Sequence, residues 1–168
     1  MADTKYGKYF TTYAAKPEEI EHGRTGIARL TPETFKESAW YWVHWNLPRP
    51  ADAPVFNPGV GHPPHMHKEP EILILIGTNP DDPTDLGAEC ELQMGMERER
   101  HILTKSTLIY IPAMMVHCPW IIRRTDRPWV FVEVNQGPHT EKLVPEILTE
   151  EERKNVDWDL ARSHEAGF

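Results

Sequence analysis

Four residues have the types and spacing of a metal-binding set: His65, His67, Glu71 and, about fifty residues on, His117. Imidazole nitrogens and one carboxylate oxygen suit a borderline divalent ion of the first transition row. The spacing is that of a strand. Residues i and i+2 of an extended chain point to one face, so His65 and His67 can both turn inward, and Glu71 keeps their parity. A helix would instead need histidines four apart. Glu69 shares the inward parity and competes with Glu71. His62, at opposite parity just before Pro63-Pro64, reads as a rim residue that could shuttle protons.

The elements that must position these residues are mostly strands. Short apolar runs and period-two alternation mark Tyr6–Thr12, Gly26–Leu30, Ala39–Asn46, Pro64–His67, Glu71–Gly77, Glu89–Gly95, Glu99–Leu103, Thr107–Ile111, His117–Arg123 and Trp129–Asn135. Their spacing, with turn residues between, points to a sandwich or barrel. Glu71–Gly77 is so continuously apolar that burial on both faces is expected. Helical signals are few. Thr31-Pro-Glu-Thr34 reads as an N-cap opening a short helix over Pro32–Lys36. Thr149-Glu-Glu-Glu152 repeats that logic and places a helix or turn at Glu150–Asn155. Ser163–Phe168 reads as loose.

Composition narrows the function classes. With 168 residues the chain is one domain with a real core, and 39% apolar residues make it globular. A net charge of −8 with no basic block argues against nucleic acid. There is no apolar run of membrane-spanning length and no signal-peptide pattern near the start, so a cytoplasmic location is expected. The loop from Thr78 to Gly87 has turn residues and acids, but no calcium-loop spacing. Cys90 and Cys118 read as buried thiols. Strand parity turns Cys118 away from the site that His117 faces.

The chain resembles the cupin superfamily. In the family's first motif, G-x5-H-x-H-x3-E-x6-G, the slots hold Gly59, His65, His67, Glu71 and Gly77, with the last gap one residue short. In the second, G-x5-P-x-G-x2-H-x3-N, they hold Ser106, Pro112, Met114, His117 and Ile121, so only Pro112 and His117 keep the family residue. The likeness runs from about Ala39 to Asn135 and is nearest to small bacterial cupins that carry a Gly-Thr-Asn-Pro segment after the first motif. It implies an all-β double-stranded β-helix, a jelly roll, with short N- and C-terminal helical segments. The expected layout is an N-terminal extension over 1–37 with an edge strand and short helix, a barrel over 38–138 and a tail over 139–168. The resemblance also implies one divalent metal (Fe, Mn, Ni, Zn or Co) held by His65, His67, Glu71 and His117, and it favours Glu71 over Glu69.

Other residues are candidates for the pocket. Glu133 interrupts the apolar run Phe131–Asn135, and a buried carboxylate there could be a general base. Tyr110, Trp120 and Arg123 could line the site, Arg123 by pairing with a substrate carboxylate. Trp40, Trp42 and His44 share one strand face, and Tyr41, Val43 and Trp45 the other. No cluster of arginines is available for phosphate. The expected function is a mononuclear metal-dependent enzyme on a small organic acid or carbonyl compound, as dioxygenase, isomerase, decarboxylase or lyase. The alternative is a non-catalytic cupin that binds or senses a small ligand. A homodimer is expected, in which the strand Tyr6–Thr12 adds to the partner's sheet.

Overall fold

The computed structural model describes residues 4–12, 24–48 and 62–168. Gly59, the first motif glycine, lies outside them. Among the described residues, ten strands form two antiparallel five-stranded sheets. They are β1 (Arg24–Leu30), β2 (Trp40–Asn46), β3 (His65–Met66), β4 (Glu71–Gly77), β5 (Asp85–Met94), β6 (Glu99–Lys105), β7 (Thr107–Ile111), β8 (His117–Thr125), β9 (Trp129–Asn135) and β10 (Lys142–Leu143). The first sheet runs β1-β2-β9-β4-β7 and the second β10-β3-β8-β5-β6. This is the jelly roll that the motifs imply. Leu73, Leu75, Leu92, Ile111, Trp129 and Phe131 lead the core between the sheets.

Gly77 shows why its motif slot needs glycine, because a Cβ there would lie 1.9 Å from the carbonyl oxygen of Asp85. Ser106, in a slot where the family has glycine, uses its side chain instead. Its Oγ accepts from the Gly77 amide at 3.0 Å and donates to the Pro83 carbonyl at 2.9 Å.

Three expectations fail, each for a local reason. Tyr6–Thr12 is not a strand; it holds a 3-10 turn at Gly7–Tyr9, with the Tyr9 ring 6.0 Å from that of Phe35. No described strand of this chain pairs with it, and alternation alone does not make a strand. Pro32–Lys36 is a turn rather than a helix. The Thr34 and Phe35 amides both donate to the Thr31 carbonyl at 2.9 Å, and the chain then returns to pair β2 with β1. That short link has no room to repay helix nucleation. The tail is not loose: Glu141 and Ala166 exchange two backbone hydrogen bonds of 2.9 and 3.0 Å.

The C-terminal helix does form, as α1 (Glu150–Lys154), with Thr149 and Glu152 closing a reciprocal capping box. A second helix, α2 (Trp158–Ser163), follows it. Leu143, Leu148, Val156 and Ala161 make a small core of their own. Arg98 ties this unit to the barrel. Its guanidinium reaches both oxygens of Glu152, at 2.9 and 2.6 Å, and its Nε donates to Gln93 at 2.7 Å.

The outer faces of the two sheets differ sharply in chemistry. On the second, the buried carboxylate of Glu91 accepts from Arg100 (2.9 and 2.8 Å), Gln93 (2.6 Å) and Arg123. On the first, register builds the apolar rows Tyr41–Val134–Ile72–Tyr110, Val43–Val132–Ile74–Leu108 and Trp45–Val130–Ile76. Leu108 is 64% exposed there and Ile76 46%, so β4 is not buried on both faces. An antiparallel sheet of a two-layer sandwich covers only one face, which the apolar run alone did not disclose.

Hydrogen bonding from Arg100 is the largest influence on Glu91. With Arg123 and Gln93 it outweighs burial and holds the carboxyl down to about 2, against an ordinary 4.5. A carboxyl that is more acidic when folded stabilises the fold above its unfolded value and loses that contribution as pH falls through its folded one. Glu91→Gln is therefore expected to cost about 1–2 kcal/mol at neutral pH. The cost should fade between roughly pH 4.5 and 2, as urea unfolding of both proteins across that range would show. A cost independent of pH would contradict the assignment.

Candidate metal centre

Strand register assembles the site. His65 on β3 is directly opposite His117 on β8, while Glu71 opens β4 beside Asn135 of β9. His67 follows β3 immediately. All four residues are buried, and each offers one ligand atom within 4.8 Å of the others. Glu71, not Glu69, is the carboxylate of the cluster. Glu69 instead accepts a 2.7 Å hydrogen bond from Thr140 Oγ1.

The second ring nitrogen of each histidine is anchored on a backbone carbonyl. His65 Nδ1 donates to Pro63 O at 2.8 Å, His117 Nδ1 to Met115 O at 3.1 Å, and His67 Nδ1 to Thr140 O. A proton on Nδ1 leaves the Nε2 lone pair free for a ligand, as in histidines that bind metals. Glu71 is held likewise, Oε1 accepting from Asn135 Nδ2 at 3.4 Å. Its Oε2 lies 3.0 Å from His117 Nε2 and 3.6 Å from His67 Nε2. Among the described residues, His67 Nε2 and Glu71 Oε2 are buried without a hydrogen-bond partner. Buried polar atoms left unpaired are rare, and donors aimed at one point are what a cation would satisfy. The donor set thus fits a borderline divalent ion.

Charge follows the same geometry. Burial, then the neighbouring histidines, push His65 well below its ordinary value, so it is neutral. Burial opposes a proton on His67, but the neighbouring Glu71 carboxylate and the Thr140 carbonyl outweigh it and bring His67 up to about 9. Burial would raise the Glu71 carboxyl, and its contacts with His117 and His67 lower it far more.

Other candidates are divided. His62 meets the cluster from outside, its Nδ1 3.1 Å from His65 Nδ1, and burial takes it down to about 4. Glu133 is half-buried with the inward parity of Phe131 and Asn135, between Trp42 and Leu73. Tyr110 is not brought to the cluster: it is 56% exposed on the outer face, in the row of Tyr41 and Ile72. Arg123 is engaged with Glu91, also away from it. Trp120 stacks on Phe131 at 5.4 Å inside the sandwich. His44 is buried on the inward face of β2, against Trp42 and Phe131.

Cys118 corrects the parity argument. Its φ of 71° breaks strand alternation, and its sulfur lies within 4.8 Å of ring nitrogens of His62 and His65. Burial, aided by Glu71, Glu141 and Glu133, keeps the thiol protonated. Cys90 is likewise a free, buried thiol.

A polar chain extends behind the cluster that sequence patterns did not single out. His139 Nδ1 lies 3.1 Å from Asn135 Oδ1, and its Nε2 3.3 Å from Glu141 Oε2. Its ring stacks on Trp40 at 5.0 Å. The available signal was an asparagine ending an apolar strand, followed closely by His139 and Glu141.

The fold is shared with solved structures. An oxalate oxidase in complex with the substrate analogue glycolate is 12% identical, with 98% of this chain and 82% of that chain covered and a TM-score of 0.52. A cupin-like protein from Thermotoga maritima is 18% identical, covering 88% and 96% of the two chains at a TM-score of 0.48. No protein-family model matches the sequence, and no curated protein is similar to it. The chain has a double-stranded β-helix fold.

The turn that delivers His117 holds a second departure from the motif. Met114, in the slot of a family glycine, adopts φ 62°, and its amide donates to His67 O at 2.7 Å. A side chain in the left-handed region costs about 1–2 kcal/mol, partly offset when glycine would add freedom to the unfolded chain. Met114→Gly is therefore expected to leave stability unchanged or raise it by up to about 1 kcal/mol, while the β-branched Met114→Val lowers it. Urea unfolding measures both, and a stabilised valine variant would refute the left-handed turn.

Proposed function

We propose that this chain is a mononuclear metal-dependent enzyme acting on a small organic acid or carbonyl compound, with His65, His67, Glu71 and His117 as ligands. The observation that carries this reading is the convergence of four buried donors, with each histidine's Nδ1 already committed to a carbonyl. A divalent Fe, Mn, Ni, Zn or Co ion would supply Lewis-acid chemistry there, or dioxygen chemistry if it is iron.

The chain's own groups set what such a site accepts. Three neutral imidazoles and one carboxylate reduce a double positive charge to about one, which favours an anionic oxygen donor. Asn135 orients Glu71 by holding its Oε1. Phe131, Trp120 and Leu92 give the interior an apolar wall, which suits a compact organic body. Glu133 faces inward from β9, and we assign it the transfer of a proton to or from the bound compound. His62 sits against His65 at the rim of the site.

Protein purified without a chelating column is expected to retain a tightly held first-row divalent ion at the four-residue centre after gel filtration. His65→Ala and His117→Ala should each lose it and lower turnover by about a hundredfold or more. Reloading with Fe(II), Mn, Ni or Zn and screening small carboxylates and diketones, with and without O2, tests the chemistry. Metal content unchanged in both variants would refute the ligand set. Saturable binding without consumption under every metal would mark a ligand-binding protein instead.

We also propose a homodimer through the apolar outer face of the first sheet, with a second copy of the chain as its occupant. The three rows carry no charge, and Leu108, Tyr110, Ile76 and Tyr41 stand 64%, 56%, 46% and 41% exposed on them as one contiguous apolar face. Each copy has a net charge of −8, so an uncharged face is where two copies can meet with least repulsion. Light scattering should give the dimer mass, and the double variant Leu108→Glu, Tyr110→Glu should be a folded monomer. A monomeric parent protein at micromolar concentration would overturn this.

A further inference from the structure

We propose that His62, Glu141 and His164 form a second site for a borderline divalent cation of the zinc type, at the rim of the barrel and separate from the four-residue centre. The three residues come from distant parts of the chain. His62 is held by a backbone bridge to Trp120 of β8, Glu141 leads into β10, and His164 closes α2. The bridge between Glu141 and Ala166 draws the tail back across Glu141 and sets His164 beside His62.

The geometry is that of a chelate. A nitrogen from each histidine and an oxygen of Glu141 lie within 4.8 Å of one another. His62 Nε2 is 3.5 Å from His164 Nδ1, and the rings are within 8° of parallel. Two imidazole nitrogens about 2.0–2.1 Å from a tetrahedral ion stand about 3.4 Å apart. As a direct hydrogen bond, 3.5 Å is at the weak limit.

A second observation points to a ligand. Glu141 is 2% exposed, and its Oε2 faces His139 Nε2 at 3.3 Å. Its Oε1 is buried with no hydrogen-bond partner among the described residues. A buried carboxylate oxygen left unpaired carries a full desolvation cost, which a cation between the two rings would offset.

The two sites do not compete for a nitrogen. Pro63 O lies 2.8 Å from His65 Nδ1 and 3.3 Å from His62 Nδ1. This one carbonyl can therefore hold the protons of both rings and free both Nε2 atoms. His65 Nε2 faces the four-residue centre, and His62 Nε2 faces His164. The donor set of two histidines and one glutamate is that of catalytic zinc sites with an open fourth position. It is unsuited to magnesium or calcium, which take oxygen shells. His164 is exposed, so the open position faces solvent.

Calorimetric titration of metal-stripped, full-length protein with Zn2+ tests this without reference to activity. The wild type should take two ions. His164→Ala should weaken the second at least tenfold and leave the first, and Glu141→Gln should act in the same direction. His117→Ala should lose the first and keep the second. His164 is exposed, so its variant is expected to fold, which circular dichroism checks. A wild type that takes one ion, still bound unchanged by His164→Ala, overturns the second site and spares the four-residue centre. One ion lost in His164→Ala but kept in His117→Ala supports the second site and overturns the other. A second ion whose affinity neither His164→Ala nor Glu141→Gln alters also overturns it.

Discussion

Register across two strand pairs is the constraint on which the rest depends. His65 meets His117 only because β3 and β8 pair in one alignment, and Glu71 meets Asn135 only because β4 and β9 do. A slip of one residue would send each donor to the opposite face and bring an apolar neighbour in. Register is strongly specified here because alternate residues of β4 and β9, Leu73, Leu75, Trp129 and Phe131, lie in the core. The hydrophobic core thus fixes the polar site. Without that alignment, burying three imidazoles and a carboxylate side by side would cost far more than it returned. Backbone carbonyls of Pro63, Met115 and Thr140 offset part of this cost, and each does so from a loop whose position the same strands determine.

The two outer faces show how one barrel meets two demands. The second sheet turns polar outward, with Glu91 at the centre of a guanidinium network and Arg98 fastening the C-terminal unit. That fastening has a consequence at the rim, since the same tail carries His164 toward His62. The first sheet presents aliphatic and aromatic rows instead, and no described element of the chain pairs beyond β1 or β7 in that sheet.

Most of this was legible in the sequence, for identifiable reasons. β4, β7 and β9 begin and end where the alternation does, because their pattern is set by burial of one face. β5 starts at Asp85, four residues before its apolar alternation. Gly87 at φ 69° and a register shift there disguise the pattern as a loop. The four metal-type donors were visible from parity and spacing, which are local properties. Cys118, Asn135, His139 and Glu141 were not, because their roles arise from a left-handed residue or from contacts between distant segments. Tyr6–Thr12 shows the converse: alternation without a partner strand makes no strand.

What lies behind the cluster changes how it should be understood. From Glu71 the contacts run through Asn135 to His139 and on to Glu141, each step a polar contact of 3.1 to 3.4 Å. The amide of Asn135 donates to Glu71, so its oxygen must accept from His139. His139 then turns its other nitrogen to Glu141, with Trp40 against its ring fixing the orientation. The carboxylate of the four-residue cluster is therefore oriented by a residue three contacts away, and that residue also faces His62 and His164.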